Sequence, residues 1–527
     1  MKVFDKVKGF LGEQSKKNQF IAGAVILAVA GIVCRVLGVI IRIPLTNIVG
    51  NFGMGLYQMV FPLYALLLIV SSAGVPIAIS KMVAKEITND NKEQCKKILW
   101  NALVLLGVIG FALSVLFVVF SGAIASLQGN KDIWVIYVAI APSVFLVCII
   151  SALRGYFQGL QNMVPTAVSQ IVEQFVKMAV GITLALLLVK ISVVMAVFGA
   201  ILAVTVSEVA ALVYLVITYF AHKKNKIKAK LKFAIDKKLM WEILKQSLPI
   251  TAMATIFPFI LVFDSLVIIN LLKVAGNSGE TATQLFGIQS GAVHTLINLP
   301  AVIGVALATA VVPTITSLIK KQKMDELRDK SALAVKLILV LSVFFMVFYF
   351  FFADKIIDLL YHEAFKDNEK HFRIATDLLK IESVMILLMG ISQVFTAMLQ
   401  ASDKSKFPFI ALAVGGAAKI IFELIFITTP IGIYAVSISN VICFGLAAGI
   451  NTFFALRTIK IKPKLLRGAV QFGLLSALYF GLLLGLHLIM PNGSWWLVPI
   501  GAISFIVYFG MVYLFGLFKG AVKEKVT

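Results

Sequence analysis

Arg35 and Arg42 lie inside the first long apolar stretch of the chain, where a bare cation is costly. On insertion scales an arginine at the centre of a membrane helix costs roughly 2.5–3.5 kcal/mol unless it pairs or meets water. The two are seven residues apart, close to two turns, so one continuous helix would present both on the same face, roughly 10 Å apart. A guanidinium is planar, stays charged at any physiological pH and donates two parallel hydrogen bonds to a phosphate, which makes that face a candidate anion site. No acidic residue occurs between Glu13 and Glu86, so neither arginine has a carboxylate on its own helix. Two readings stay open for Arg35: pairing with a distant carboxylate such as Glu208 or Asp264, or facing a wet cavity. Arg42, nearer the outer end, could instead reach the interface.

Six more charges fall within apolar stretches: Glu173, Lys177, Glu208, Asp264, Lys419 and Glu423. Glu173 and Lys177 are four residues apart, as are Lys419 and Glu423, so each pair could neutralise itself on one helix face. If released from those acids, Lys177 and Lys419 would bring a second and third cation to an anion. Asp264 suits a coupling Na⁺ or proton, since lone intramembrane carboxylates often serve so, and it suits an ion pair equally well. His294, close to Asn298 and Pro300, either lines a cavity or packs helices through a hydrogen bond.

The densest enzyme-like constellation is Asp354, Asp358, His362, Glu363, Asp367, Glu369, His371 and Asp377. Lys355, Lys366, Lys370 and Arg373 are interspersed and no HExxH-type spacing occurs, so a solvated, salt-bridged outer loop is expected rather than a metal or acid/base site. Cys34, Cys95, Cys148 and Cys443 show no CxxC spacing and are expected to pack as small apolar side chains. No Gly-Lys dipeptide occurs, hence no Walker A loop. No cofactor, metal or catalytic residue is expected; work must come from an ion gradient, the substrate gradient or the membrane potential.

The elements that must position these charges are membrane helices. The 527 residues are 60% hydrophobic, with a mean hydropathy of +0.99, which places the chain among polytopic helical membrane proteins. Fourteen stretches are long enough to span, the first beginning near Ile21 and the last near Trp495. The net charge of +23 sits in short loops between them, without a basic groove, and so reports orientation rather than nucleic-acid binding. In a fourteen-span order every strongly basic loop falls on one side, and nearly uncharged loops such as 44–56 and 428–432 fall on the other. Both termini are therefore expected in the cytoplasm.

The expected divisions are a basic N-terminal segment (1–19), a first lobe of six spans (20–220), a basic cytoplasmic linker (221–245), a second six-span lobe (246–456), and a final helix pair with its tail (457–527). Lysines and apolar residues alternate at helical spacing in the first segment, which reads as a helix on the inner leaflet or as a disordered leader. Self-similarity supports two lobes: Gln158, a short loop, Pro165 and Lys177 parallel Gln400, a short loop, Pro408 and Lys419, with equal Gln-to-Lys separations. A weaker echo links Gly74-Val75-Pro76 with Gly304-Val305-Ala306. Lobes of six spans repeat in parallel, and transporters built so hold substrate at the midplane between repeats.

The run from Ala152 through Arg154-Gly155-Tyr156-Phe157-Gln158-Gly159 to Pro165-Thr166-Ala167, followed by Ser169-Gln170 and Glu173-Gln174, resembles the polysaccharide-transporter branch of the multidrug/oligosaccharidyl-lipid/polysaccharide (MOP) exporter superfamily. With Arg35-Val36-Leu37-Gly38 and Arg42-Ile43-Pro44-Leu45 it is similar to the stage V sporulation protein B and MurJ-type lipid II flippase group of Gram-positive bacteria. The resemblance implies an all-α plasma-membrane protein with fourteen spans. It implies a flippase that moves lipid II, or another undecaprenyl-diphosphate-linked glycan, from the inner to the outer leaflet. It implies Arg35 in a cationic cavity for the diphosphate. A monomer is expected, with Na⁺, H⁺ or the potential as driver. A drug/cation antiporter of the same superfamily and a membrane glycosyltransferase are the competing classes.

Overall fold

Inside a bilayer no water satisfies backbone N–H and C=O groups, so a chain this apolar must close its hydrogen bonds within helices or a barrel. The structure, a computed structural model, describes residues 16–72, 74–226, 235–459, 465–489 and 493–516, and among them there is no strand. The readings of residues 1–15, of 227–234 in the basic linker and of Lys460 to Lys464 lie outside the described residues. Among the described residues thirteen stretches are long and apolar enough to cross a membrane, one of them the 64 residues from Val25 to Thr88.

The chain forms two compact units, 1–41 with 56–267, and 42–55 with 268–527. In the first, α1 (Lys16–Ile40) is followed by α2 (Arg42–Ser72), α3 (Val75–Thr88), α4 (Lys92–Val119), the short α5 (Ser121–Leu127), α6 (Trp134–Gly159), α7 (Val164–Leu188), α8 (Val193–Lys226), α9 (Lys237–Ala254) and α10 (Ile256–Val274). Of these, α2 and α10 contribute residues to both units. The second unit continues with α11 (Gly279–Phe286), a π-helical segment (Gly287–Val293), α12 (His294–Lys320), α13 (Met324–Phe351), α14 (Ala353–Phe365), α15 (Glu369–Ala401), α16 (Lys406–Phe426), α17 (Tyr434–Ile459), α18 (Leu465–Ile489) and α19 (Leu497–Leu514).

The units repeat one another in packing and in turn chemistry. In the first, α6 packs on α3, α4 and α8, and α7 on α8; in the second, α15 packs on α12, α13 and α17, and α16 on α17. Among the described residues four non-glycine residues have positive φ, and they fall into two matched pairs: Asp90 (52°) with Gln322 (55°), and Gln161 (59°) with Asp403 (56°). Each closes its helix by the same pair of backbone bonds. Gln161 N–H donates to Gln158 O (2.9 Å) and Asn162 N–H to Phe157 O (3.0 Å), while Asp403 donates to Gln400 O (3.1 Å) and Lys404 to Leu399 O (2.8 Å). These are Schellman-type ends, with the left-handed residue at the position that caps orphan carbonyls. Gln161 and Asp403 each stand three residues after the glutamine of the sequence repeat, so that repeat marks equivalent helix–turn–helix units.

Small residues bring helices together, as membrane packing requires. A Cβ at Gly155 would lie 2.8 Å from Pro76 Cα, so α6 crosses α3 with backbones nearly touching. Cys95, Cys148 and Cys443 are buried, and Cys148 fills the space opposite Gly110. The last two helices pack on α13 through aromatic rings: Phe344 contacts Tyr479, Phe505 and Tyr508, and Tyr508 Oη donates to Val340 O at 2.9 Å.

Two local expectations need correction. The helix is interrupted at Ile41, so Arg35 and Arg42 stand on α1 and α2 rather than on one continuous face, and in different units. Residues 44–56, expected as a loop, are helical apart from a kink at Gly50 (φ 67°). Their polar side chains explain the order: Asn47 and Asn51 donate to Leu360 O and Ala364 O of α14 at 2.8 and 2.9 Å. Gly287 permits a further close approach, because a Cβ there would lie 2.0 Å from Asn51 O.

Candidate functional site

The polar interior of the first unit is assembled from α1, α2, α6, α7 and α8. Arg154 on α6 reaches α7 through its fork, Nε donating to Ser169 Oγ and Nη2 to Glu173 Oε2, both at 3.0 Å. Both members of that ion pair are mostly buried, with side chains 17% and 21% exposed, which strengthens the attraction beyond that of a surface pair. Glu173 therefore takes a cation from another helix. Glu208 on α8 is buried and accepts from the Tyr64 hydroxyl of α2. Cys34, one position before Arg35, lies within electrostatic reach of Glu173, Arg154 and Lys177, which places α1 against this cluster. Gly38, a turn later, faces Gln174 Oε1.

Arg35 stands apart from these pairs. Its side chain is exposed, and among the described residues it has no hydrogen-bond or ion-pair partner. A Cβ built at Gly31, one turn earlier on the same face, meets nothing within 4 Å, so the surface around the guanidinium is open. Of the five charged groups assembled here, three are cations (Arg35, Arg154 and Lys177) and two are carboxylates, and Arg154 is committed to Glu173. Chemically this is a surface able to take an anion at Arg35, with Lys177 partly accessible on the neighbouring helix. Asp264 is buried on α10 of the same unit.

In the second unit Lys419 and Glu423 form a fully buried i,i+4 pair at 2.5 Å, and Ser439 Oγ donates to Glu423 at 2.7 Å. The ammonium is thus held by its own helix. Arg42 is half-buried at the start of α2, with Thr46 Oγ1 capping its carbonyl at 2.7 Å. A second buried carboxylate, Glu382 on α15, is cradled by Gln289, Ser437 and Asn440. The sequence reading passed over Glu382, and passed over Arg154 as a charge. An acid a few residues into an apolar run, and an arginine at the end of another, were the available signals.

The acidic stretch folds as α14 and the start of α15, not as a loop. Its charges pair locally: Lys366 with Glu363 and Arg373 with Glu369 at 2.5 Å each, and His362 Nδ1 with Asp358 at 2.9 Å. Among the described residues no three His, Cys, Asp or Glu side chains are grouped to hold a metal. Burial would push the Asp358 carboxyl up, but hydrogen bonds from the Ser494 hydroxyl and His362 outweigh it and hold it below the ordinary value.

The family model described as polysaccharide biosynthesis protein matches residues 20–319, and the MatE model matches residues 290–425. Stage V sporulation protein B of Bacillus subtilis (strain 168) is 28% identical over 463 residues, covering 87% of this chain and 88% of its own length. Lipid II flippase MurJ of the same organism is 25% identical over 435 residues, covering 77% of each chain. Among solved structures, lipid II flippase MurJ in an inward closed conformation aligns with a TM-score of 0.70 at 18% identity, covering 93% of this chain and 99% of that one, a likeness of fold.

Proposed function

Because this chain belongs to the polysaccharide biosynthesis protein family, as a multi-pass plasma-membrane transporter of the MOP superfamily and not an enzyme, we propose that its cargo is an undecaprenyl-diphosphate-linked glycan, with lipid II as the first candidate, moved from the inner to the outer leaflet. The observation that carries this is Arg35: a permanently charged guanidinium on a membrane helix, exposed and unpartnered among the described residues. Such a group is stable there only against water or an anion, and a diphosphate offers oxygens spaced for its fork. Arg42 and Lys177 are the further cations assigned to the headgroup. Lys419 would join them only after leaving Glu423.

Counting the 64-residue stretch from Val25 to Thr88 as two passes gives fourteen spans; that even number, with the basic loops on one side, supports cytoplasmic termini. Glu173, Glu208, Asp264 and Glu423 are the carboxylates from which a coupling Na⁺ or proton site would be drawn. The membrane potential alone supplies about 2.3 kcal/mol per elementary charge per 100 mV, which favours outward movement of a dianion.

Reconstitution with fluorescent lipid II and leaflet-specific quenching tests the cargo. Protein-dependent movement of the lipid, with no export of organic cations from the same vesicles, is the expected result. Cation export without lipid movement would support the antiporter class instead.

A further inference from the structure

In the second unit the two oxygens of Glu382 are treated unequally. Oε1 accepts three hydrogen bonds, from Gln289 Nε2 (2.9 Å), Ser437 Oγ (2.8 Å) and Asn440 Nδ2 (3.0 Å). Oε2 is buried and receives none. His294 Nδ1 lies 3.9 Å from it, also buried and also without a hydrogen-bond partner. Each buried polar atom left unsatisfied costs roughly 1–3 kcal/mol, and here two of them face each other across a gap too long for a direct bond.

The backbone around the pair is unusual in a corresponding way. His294 is the first residue after the π-helical segment Gly287–Val293, and Gln289 within that segment donates to Oε1. Segments of this kind mark places where a helix re-aims a side chain at a functional group. A narrow cleft of about 10 Å³, room for about one water, starts one turn beyond Glu382 at Ile386; its lining is mostly apolar, with Ser342 and Gln393 as its polar residues. No third His, Cys, Asp or Glu joins the two among the described residues, which is too few ligands for a transition metal. An imidazole nitrogen is also a poor match for an alkali cation, which prefers several oxygens.

We propose that Glu382 and His294 form a one-proton binding site in the second unit, in which the imidazole takes up the proton and the resulting imidazolium, its Nδ1 facing Oε2 at ion-pair distance, is held by the carboxylate. The proton comes from water and returns to it, no other bond forms or breaks, and the pair passes between one negative charge and none. Other ionisable groups on the packed elements include Lys320 at the far end of α12, Lys336 and Tyr349 on α13, Tyr361 on α14, Asp377 and Lys380 on α15, Lys419 and Glu423 on α16, and Tyr434 on α17, besides the charged residues at the first turns of α13, α14 and α15 and Arg457 near the end of α17. Tyr349 donates to Leu296 O (3.3 Å), Tyr361 to Ala292 O (3.4 Å) and Tyr434 to Asp377 (3.4 Å). The site deepens the transporter reading by naming a second ligand.

Nuclear magnetic resonance of the full chain in lipid bilayers, labelled with ¹⁵N-histidine, tests it without reference to cargo. The chain has five histidines, and the His294 signal is the one lost in His294→Gln. The ring is expected to gain its second proton as the pH is lowered, and Glu382→Gln to weaken that uptake at least about tenfold, the usual effect of losing a carboxylate at this range. The wild-type spectrum decides even if the Glu382 variant does not fold: a His294 ring that stays neutral from about pH 4 to 9, well either side of the ordinary imidazole range, overturns the site. So does a change that follows Na⁺ at fixed pH. Lipid translocation is read separately on the same vesicles; its absence beside a titrating His294 would remove the cargo proposal and leave the proton site standing.

Discussion

Lys419 and Glu423 show how much one helix face can decide. Their side chains are 3% and 0% exposed, so each charge depends on the other and on Ser439 rather than on solvent. Removing one partner of a buried pair typically costs about 3–5 kcal/mol, whereas replacing both by apolar residues of similar size is often near neutral. Lys419→Met is therefore expected to lower the thermal unfolding midpoint in detergent sharply, and Lys419→Met with Glu423→Leu to restore most of it. A single variant as stable as wild type would show that the pair carries no structural weight. The four-residue spacing made this pair legible in the sequence. At Glu173 the spacing did not announce a further cation, Arg154, which lies 19 residues away in sequence and reaches the carboxylate from another helix. Glu382 was illegible for a related reason, since its donors come from segments 93, 55 and 58 residues away.

At the scale of elements, hydropathy found the helices and turn residues found their ends, but amphipathic and docked segments escaped both. Residues 44–56 and 353–365 read as loops because they are polar or short, yet each is helical, and Asn47 and Asn51 join them by hydrogen bonds that no local pattern announces. The Asp358 contacts are a further case, tying α14 to Ser494 just before α19. Because the folded carboxyl is held below its unfolded value, the stabilisation it contributes is fully present above that value, about pH 3.9, and is lost as the pH falls through the lower folded one. Hydrogen exchange across 353–365 is expected to stay slow at weakly acidic pH and to accelerate only in strong acid, with Asp358→Asn exchanging faster already at neutral pH. Equal exchange in the two proteins at neutral pH would assign no role to these contacts.

For the whole molecule, the repeat seen in a handful of residues proved to be a repeat of turns and helix packing within each unit, down to matched left-handed residues at Gln161 and Asp403. A chain so built is suited to alternate between states, and transporters of parallel repeats work in that way. What makes this one a candidate carrier of lipid diphosphates is a cation that its own fold leaves exposed. The most direct test is translocation of fluorescent lipid II in proteoliposomes by wild type, Arg35→Lys and Arg35→Ala, each checked for equal insertion and unfolding temperature. Transport is predicted to fall at least about a hundredfold in Arg35→Ala, in line with loss of a charge-assisted bidentate contact worth about 3 kcal/mol, and to recover only in part with lysine. Translocation by Arg35→Ala at the wild-type rate would contradict the account.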